Sequence, residues 1–268
     1  MTKAETIRTA RLGKTELRLV AKDGRYFGLA DGAVRAEGEV ADDVWRRLHD
    51  EAGKGNAKYV GFDGARARFA KFFPNGFHTA GYEGDERAYK IAAKTRLDAT
   101  APVEDAASGK GFGEAVLAAF RATNLLSPFE KTRLQDVLRG PAADPFIRAA
   151  AWFTLGDRKA ALAEMERTLK PFSSAKWTVV TYLPFLWLPE EHVFLKPEVT
   201  KDFAARIGHR FATDYEPRLR LEVYESLLDL VVKTEGALAE MKPRDRIDVQ
   251  SFIFVVGEYD EARDGAKA

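Results

Sequence analysis

The chain contains no cysteine, and it has only four histidines and three methionines among 268 residues. Without cysteine there are no disulfide bonds, no thiolate nucleophiles and no thiolate metal ligands. This argues against a disulfide-held secreted scaffold and fits a reducing compartment. The uninterrupted apolar runs are all much shorter than the ~20 residues that a membrane helix needs. The charged start of the chain has no apolar segment, so we expect no signal peptide, no membrane association and a cytoplasmic location.

Charged residues are abundant but nearly balanced. The 42 lysines and arginines against 41 acidic residues give a formal net charge of +1 at pH 7, which neither favours nor excludes a polyanionic partner. Residues 1–96 have a small positive excess, with 19 basic against 14 acidic residues. Hydrophobic residues make up 46% of the chain, which is enough for a substantial core and argues against global disorder.

Residues 15–36 have the pattern of a small antiparallel sheet. Leu17 and Leu19 alternate with polar residues, as they do in a half-buried strand. Asp23-Gly24 and Asp31-Gly32 are turn signals, because Asp-Gly pairs accept the positive φ angles of a tight hairpin. The sequence therefore predicts a three-stranded meander near the start of the chain.

Most of the remaining chain has helical periodicity. The longest periodic segment runs from Pro217 to Met241, and Ser127-Pro128 marks the start of another helix. The predicted fold class is α+β and predominantly α, with a small N-terminal antiparallel sheet and helices followed by a C-terminal helical domain. The predicted parts are an N-terminal module at 1–97, a linker at 98–112, a helical domain at 113–258 and a flexible tail at 259–268.

An aromatic stretch at residues 175–200 is the centre around which we expect the helices to pack. It holds two of the four tryptophans and three of the eleven prolines. A segment with this many aromatic residues is costly to leave in water. We therefore predict that Trp177, Tyr182, Phe185 and Trp187 fill the gaps between helices.

Residues 149–171 resemble part of a tetratricopeptide-type helical hairpin. Trp152 lies in the first helix, Gly156-Asp157 forms the turn, and Pro171 follows the second helix. The resemblance implies an aromatic residue filling the groove between the two helices. A solenoid needs about three stacked units, and no second copy follows at the repeat spacing of about 34 residues. We therefore predict a single ordinary hairpin.

Basic and aromatic residues alternate irregularly between Lys58 and Arg96. Such a pattern is typical of nucleic-acid binding, in which cations hold phosphates and exposed aromatic rings stack on bases. The candidate nucleic-acid-binding residues are Arg66, Arg68, Lys71, Arg87, Lys90, Lys94 and Tyr82. Residues 75–87 are rich in glycine and predict a loop that exposes Tyr82. The competing interpretation is that the aromatic residues form core and the basic residues a solvated face.

No motif in the sequence establishes a chemistry. There is no GxSxG elbow, no HExxH pair and no phosphate-binding loop, so we assign no catalytic residue, no metal ligand and no cofactor. The leading hypothesis is a non-catalytic binding or adaptor protein whose partner is DNA or RNA. One alternative is a metal-dependent hydrolase or nuclease acting near Glu190, Glu191, His192 and Asp245. Another is a protein–protein interaction scaffold.

Overall fold

The fold is α+β and predominantly α, as predicted. The computed structural model describes residues 4–12, 14–54 and 58–265. The strands are β1 (Glu5–Leu12), β2 (Thr15–Lys22), β3 (Arg25–Ala30) and β4 (Ala33–Gly38). None of the helices in the described ranges is long and apolar enough to cross a membrane.

The helices follow the sheet in chain order. They are α1 (Ala41–Gly53), α2 (Gly61–Phe72), α3 (Ala80–Tyr82), α4 (Ala88–Thr100), α5 (Val103–Ser108), α6 (Gly113–Ala122), α7 (Pro128–Leu138), α8 (Ala143–Thr154), α9 (Arg158–Leu169), α10 (Trp177–Val180), α11 (Tyr182–Trp187), α12 (Pro197–Arg206), α13 (Phe211–Asp214), α14 (Leu221–Ala237), α15 (Arg246–Glu258) and α16 (Glu261–Asp264). A π-helical turn at Glu83–Arg87 joins α3 to α4. The sequence Tyr59-Val60-Gly61-Phe62 has the composition of a short strand, but α2 begins within it, at Gly61.

The chain divides into two compact units, each assembled from separate segments. The first unit comprises the described residues up to Phe72 together with Glu198–Tyr215 and Ile253–Gly265, and the second comprises Phe73–Pro197 and Glu216–Phe252. These boundaries differ from the predicted ones. Residues 73–97 cluster with the second unit, and the predicted linker contains α5, in which Val103 and Ala106 are buried.

The sheet is antiparallel throughout, in the order β1-β2-β3-β4. The two Asp-Gly turns lie where they were predicted. Asp23 and Gly24 have φ angles of 50° and 77°, and Asp31 and Gly32 have 48° and 82°. Two successive positive φ angles give the type I′ geometry, whose twist matches that of the flanking strands.

The edge strand β1 was not predicted. In β1 only Leu12 is buried and only Ala10 is half-buried, while its other residues are exposed. An exposed edge strand has no apolar alternation, which is the signal from which β2 was recognised.

Helix α1 packs on one face of the sheet through the apolar residues of its buried side. Val44, Trp45 and Leu48 are buried against a cluster that includes Leu17 and Leu19. Neither Asp42 nor Asp43 caps α1. Val40 occupies the N-cap position without a side-chain cap, and both aspartates lie in the first turn, where they complement the helix dipole.

The aromatic stretch is core, as predicted. Trp177, Tyr182, Phe185 and Trp187 are at most 2% exposed. Their polar atoms are also bonded: Trp187 Nε1 donates to the Ala101 carbonyl at 2.9 Å, and the Tyr182 hydroxyl donates to the Ala119 carbonyl at 2.6 Å. Buried aromatic residues with bonded polar ends fix the neighbouring helices at defined positions.

Helices α8 and α9 form the predicted hairpin and contact each other closely. The role assigned to Trp152 is wrong, because this side chain is 42% exposed and does not fill a groove between the helices. Gly156, with φ of 116°, supplies the turn.

Candidate nucleic-acid interface

The glycine-rich loop predicted at residues 75–87 is helical from Ala80 onward. Helix α3 continues through the π-helical turn into α4. Tyr82 is completely buried, so the expected exposure of its ring is wrong. Burial, followed by the negative charge of Asp248, raises the pKa of Tyr82 well above its usual value. Its hydroxyl donates to Asp248 Oδ1 at 2.8 Å.

Lys90 is the most deeply buried of the candidate cations, with 0% of its surface exposed. Its ammonium group donates to Glu86 Oε2 at 3.2 Å, Gln250 Oε1 at 2.8 Å and Ser251 Oγ at 2.7 Å. Burial lowers the pKa of Lys90, and the charge and hydrogen bond of Glu86 oppose that shift. An ammonium group has three N–H donors, and all three are used within the protein.

Arg87 is paired with carboxylates rather than open to phosphate. It forms a bidentate ion pair with Asp245, at 2.8 and 2.6 Å, and its Nη1 also donates to Asp248 Oδ1 at 2.9 Å. Arg244 also donates to Asp248, through its backbone N–H at 2.8 Å and its Nε at 3.0 Å. Asp248 is 0% exposed and accepts from all these groups as well as from Tyr82.

These residues belong to one ionic network, which is called the buried network after its buried members Tyr82, Glu86, Arg87, Lys90 and Asp248. It also includes Asp245, which is half-buried, and Arg244, which is exposed. Burial alone would raise the pKa of Asp248, but hydrogen bonds from Arg244 and Tyr82 and the charge of Arg87 lower it. Three of the seven predicted nucleic-acid-binding residues therefore belong to a structural network. Tyr82 was expected to be exposed and is buried, and the candidate cations Arg87 and Lys90 are buried as well. Carboxylates from distant parts of the sequence pair with these cations inside the second unit.

The other four predicted residues lie apart from this network. Arg68 donates to the backbone carbonyls of Val256, at 2.8 Å, and Tyr259, at 2.6 Å. Arg66 pairs with Asp63 one helical turn earlier, and Lys71 is exposed on the same helix, α2.

Lys94, on α4, donates to Asp98 and to the Trp187 carbonyl, both at 2.9 Å. Phe69, Phe72 and Phe73 are buried, in agreement with the competing interpretation that these rings are core. The seven predicted residues therefore do not form one continuous positive surface within either unit.

Of the four residues proposed for a metal-dependent hydrolase, His192 and Asp245 are bonded within the protein, whereas Glu190 and Glu191 are exposed. His192 is 0% exposed, with Nε2 3.0 Å from the Thr154 carbonyl and Nδ1 2.7 Å from the Tyr224 hydroxyl. A carbonyl only accepts, so Nε2 carries the proton and Nδ1 accepts from the tyrosine. Asp245 is occupied by Arg87 and also accepts from the backbone N–H of Ile247 at the start of α15. Within the described ranges, no group of three or more His, Asp or Glu side chains is placed to hold a metal ion.

We expect acid to weaken the second unit through His192. Burial, opposed by the Thr154 carbonyl and reinforced by the charges of Arg158 and Arg246, lowers the pKa of His192 from 6.5 to about 4. Above pH 6.5 the ring is neutral in both the folded and the unfolded chain. Between pH 6.5 and 4 only the unfolded chain gains the proton, so the free energy of unfolding should fall, approaching a loss of about 3 kcal/mol.

Urea unfolding of the wild type and of His192→Gln over a pH series measures this effect. The difference between the two stability curves cancels the contribution of the carboxylates. It should be constant above pH 6.5 and decrease below it. Parallel curves from pH 7 to pH 4 would show that His192 does not carry the effect.

The open face of the N-terminal sheet, opposite α1, carries a different set of side chains. Gly28 faces α1, because a Cβ atom there would lie 3.0 Å from Leu48 Cβ. Phe27 and Leu29, on either side of Gly28 in β3, therefore lie on the open face. The strand register places Val20 opposite Phe27, and Val34 opposite Leu29. These four residues, Val20, Phe27, Leu29 and Val34, are called the apolar strip.

Four cations surround the apolar strip. The same register places Arg11, Arg18, Lys22 and Arg25 on the open face. Arg11, Arg18 and Arg25 are exposed and Lys22 is half-buried. Arg25 pairs with Glu37 at 3.6 Å, whereas the side chains of Arg11, Arg18 and Lys22 form no ion pair within the described ranges. Two acids, Glu16 and Glu37, share this face, so cations outnumber acids four to two.

Sequence reasoning missed this surface, although a signal for it exists. Leu17 and Leu19 were recognised as the buried face of β2. In a strand the intervening residues point to the opposite face, so Arg18, Val20 and Lys22 follow from the same alternation.

Comparisons with known proteins give no further guidance, because no family model, no curated protein and no solved structure matches this chain.

Proposed function

We propose that this protein is a non-catalytic binding or adaptor protein that associates with nucleic acid through the open face of its N-terminal sheet. The observation that carries the proposal is the set of cations around the apolar strip. Arg11, Arg18 and Lys22 form no ion pair in the described chain, although Glu16 lies opposite Arg11 in the register, so their charges are available to phosphates. Phosphate neutralisation supplies most of the affinity in non-specific nucleic-acid binding.

The separation of charge between the two faces of the sheet supports a polyanionic partner. On the face that packs against α1, Arg8 pairs with Asp42 at 2.8 Å, so this cation is neutralised within the protein. The open face has an excess of positive charge that the nearly neutral whole-chain composition conceals. A local basic surface steers polyanions even when the net charge is close to zero.

Binding is expected to weaken steeply with salt and to depend on these three cations. The test variant is Arg11→Gln/Arg18→Gln/Lys22→Gln, assayed by fluorescence anisotropy with a labelled oligo(dT) from about 50 to 200 mM salt. The slope of log K against log salt is negative, and each lost phosphate contact makes it less steep by about 0.7 for a single strand. The triple variant should therefore lose about 2 units of slope.

A second triple variant controls for net charge. Arg96, Lys110 and Lys159 are exposed cations of the second unit, and replacing all three by glutamine changes the net charge equally. This control should bind like the wild type. An equal loss of slope in both triple variants, or no binding by the wild type at low salt, would contradict the proposal.

A further inference from the structure

We infer that the open face takes a single strand and that Phe27 stacks against one of its bases. This inference rests on the proposed function. It adds that the nucleic acid is single-stranded and that Phe27 is the residue that favours a single strand over a duplex. Phe27 lies in β3, one of the two inner strands, and it is half-buried, so part of its ring remains accessible. It is the only aromatic side chain that the register places on this face within the described ranges.

The apolar strip supports the ring of Phe27 on two sides. Val20 lies directly opposite on β2 and is 7% exposed, and Leu29 lies two residues further along β3. Val34 extends the strip to the edge strand β4. The strip therefore gives a base a surface of apolar contact that is wider than one ring.

The cations lie at a distance from Phe27 that suits one nucleotide. Arg25 precedes Phe27 by two residues on the same strand, which is about 6.6 Å along a strand. Arg18 and Lys22 flank Val20 on β2, which places them diagonally across from Phe27 at about 7–8 Å. A nucleotide whose base lies on Phe27 can thus bring a phosphate beside Arg18 or Lys22, which form no ion pair within the described ranges. Glu37, also opposite Phe27, is neutralised by Arg25.

A duplex does not suit this surface. Its bases are stacked and paired inside, so it would present phosphates and sugars to the apolar strip. Phosphates placed against the apolar strip would lose their hydration and gain no apolar contact in return. A single strand exposes the faces of its bases, and such stacking is tolerant of sequence. The inference therefore specifies a single strand without a strong base preference.

The test separates stacking from phosphate binding. Phe27→Leu keeps an apolar strand residue but removes the ring, and Phe27→Tyr keeps the ring as a matched control. Phe27→Leu should weaken oligo(dT) and oligo(rU) binding by about tenfold. It should leave the salt slope unchanged because no phosphate contact is lost. Phe27→Tyr should bind like the wild type, and a duplex of the same length should bind more weakly than either single strand. Circular dichroism verifies that both variants fold.

Each outcome decides between the two proposals. If Phe27→Leu binds oligo(dT) like the wild type while the triple glutamine variant of the open face loses slope, stacking is overturned and the proposed function stands. Equal affinity for the duplex and the single strand also overturns the inference. If neither nucleic acid binds at low salt, the proposed function itself fails. Sedimentation of the free protein then tests whether the apolar strip instead binds a second copy of the chain.

Discussion

Replacing Asp248 with alanine is expected to lower the free energy of unfolding by about 3–5 kcal/mol. Asp248 is completely buried and accepts hydrogen bonds from Tyr82, from Arg87 and from both the backbone and the side chain of Arg244. Without this carboxylate, several buried donors lose their acceptor and the buried cations lose a counter-charge. Removing one partner of a buried pair is much more costly than the net stability that the pair contributes.

Asp98→Ala is the matched control for this experiment. Asp98 also lies in the second unit and accepts an ion pair from Lys94 at 2.9 Å, but its side chain is 43% exposed. An exposed pair contributes about 1 kcal/mol or less. Urea unfolding at pH 7 should therefore give a large decrease in midpoint for Asp248→Ala and a small one for Asp98→Ala, with similar m values. Equal decreases would show that the buried network does not stabilise the second unit.

Asp248→Asn distinguishes the charge from the shape of the side chain. It preserves the volume and one acceptor oxygen, but it places an amide N–H₂ group where donors from Arg244 already point. We therefore expect a loss intermediate between those of the two alanine variants. A loss as large as that of Asp248→Ala would assign the effect to the charge alone.

The fold could be predicted where local chemistry decides it. Asp23-Gly24 and Asp31-Gly32 specify their own hairpins, and the alternation of Leu17 and Leu19 specifies which face of β2 is buried. The cap at Ser127 is equally local. The Ser127 hydroxyl accepts from the backbone N–H of Glu130, and the Glu130 carboxylate accepts from the backbone N–H of Ser127. These features depend on residues a few positions apart, so the sequence contains their full explanation.

The buried network could not be predicted, because the decisive partners are distant in the sequence, whereas the open face of the sheet follows from the alternation in β2. In the sequence Lys90 resembles a surface cation. Its hydrogen-bond acceptors Gln250 and Ser251 lie 160 and 161 positions later in the chain. Arg87 likewise depends on Asp245. Periodicity reports which face of a helix is apolar, but it does not report whether a charge on the other face meets water or an opposite charge. The predicted basic surface therefore proved to be partly a buried ion network.

Gly113→Ala is the second large effect that we expect, a loss of about 3 kcal/mol, at the upper end of the cost of overpacking. A Cβ atom at Gly113 would lie 2.2 Å from the Leu138 carbonyl oxygen, and Ala143 Cβ is 3.5 Å away. The obstacle is backbone, so it cannot be relieved by a side-chain rotation. The start of α6 and the end of α7 would therefore have to separate.

Gly236→Ala provides the opposite expectation with the same substitution. Gly236 lies within α14, and apart from its chain neighbours and the adjacent backbone of its own helix no atom lies within 4 Å of the Cβ position. Alanine there should raise the free energy of unfolding by up to about 1 kcal/mol, because glycine is a poor helix former. Urea unfolding of both variants shows directly whether each substitution raises or lowers the free energy of unfolding. If Gly113→Ala were neutral or stabilising, the close approach of α6 to the end of α7 would be wrong, since a contact of 2.2 Å leaves no room for a methyl group.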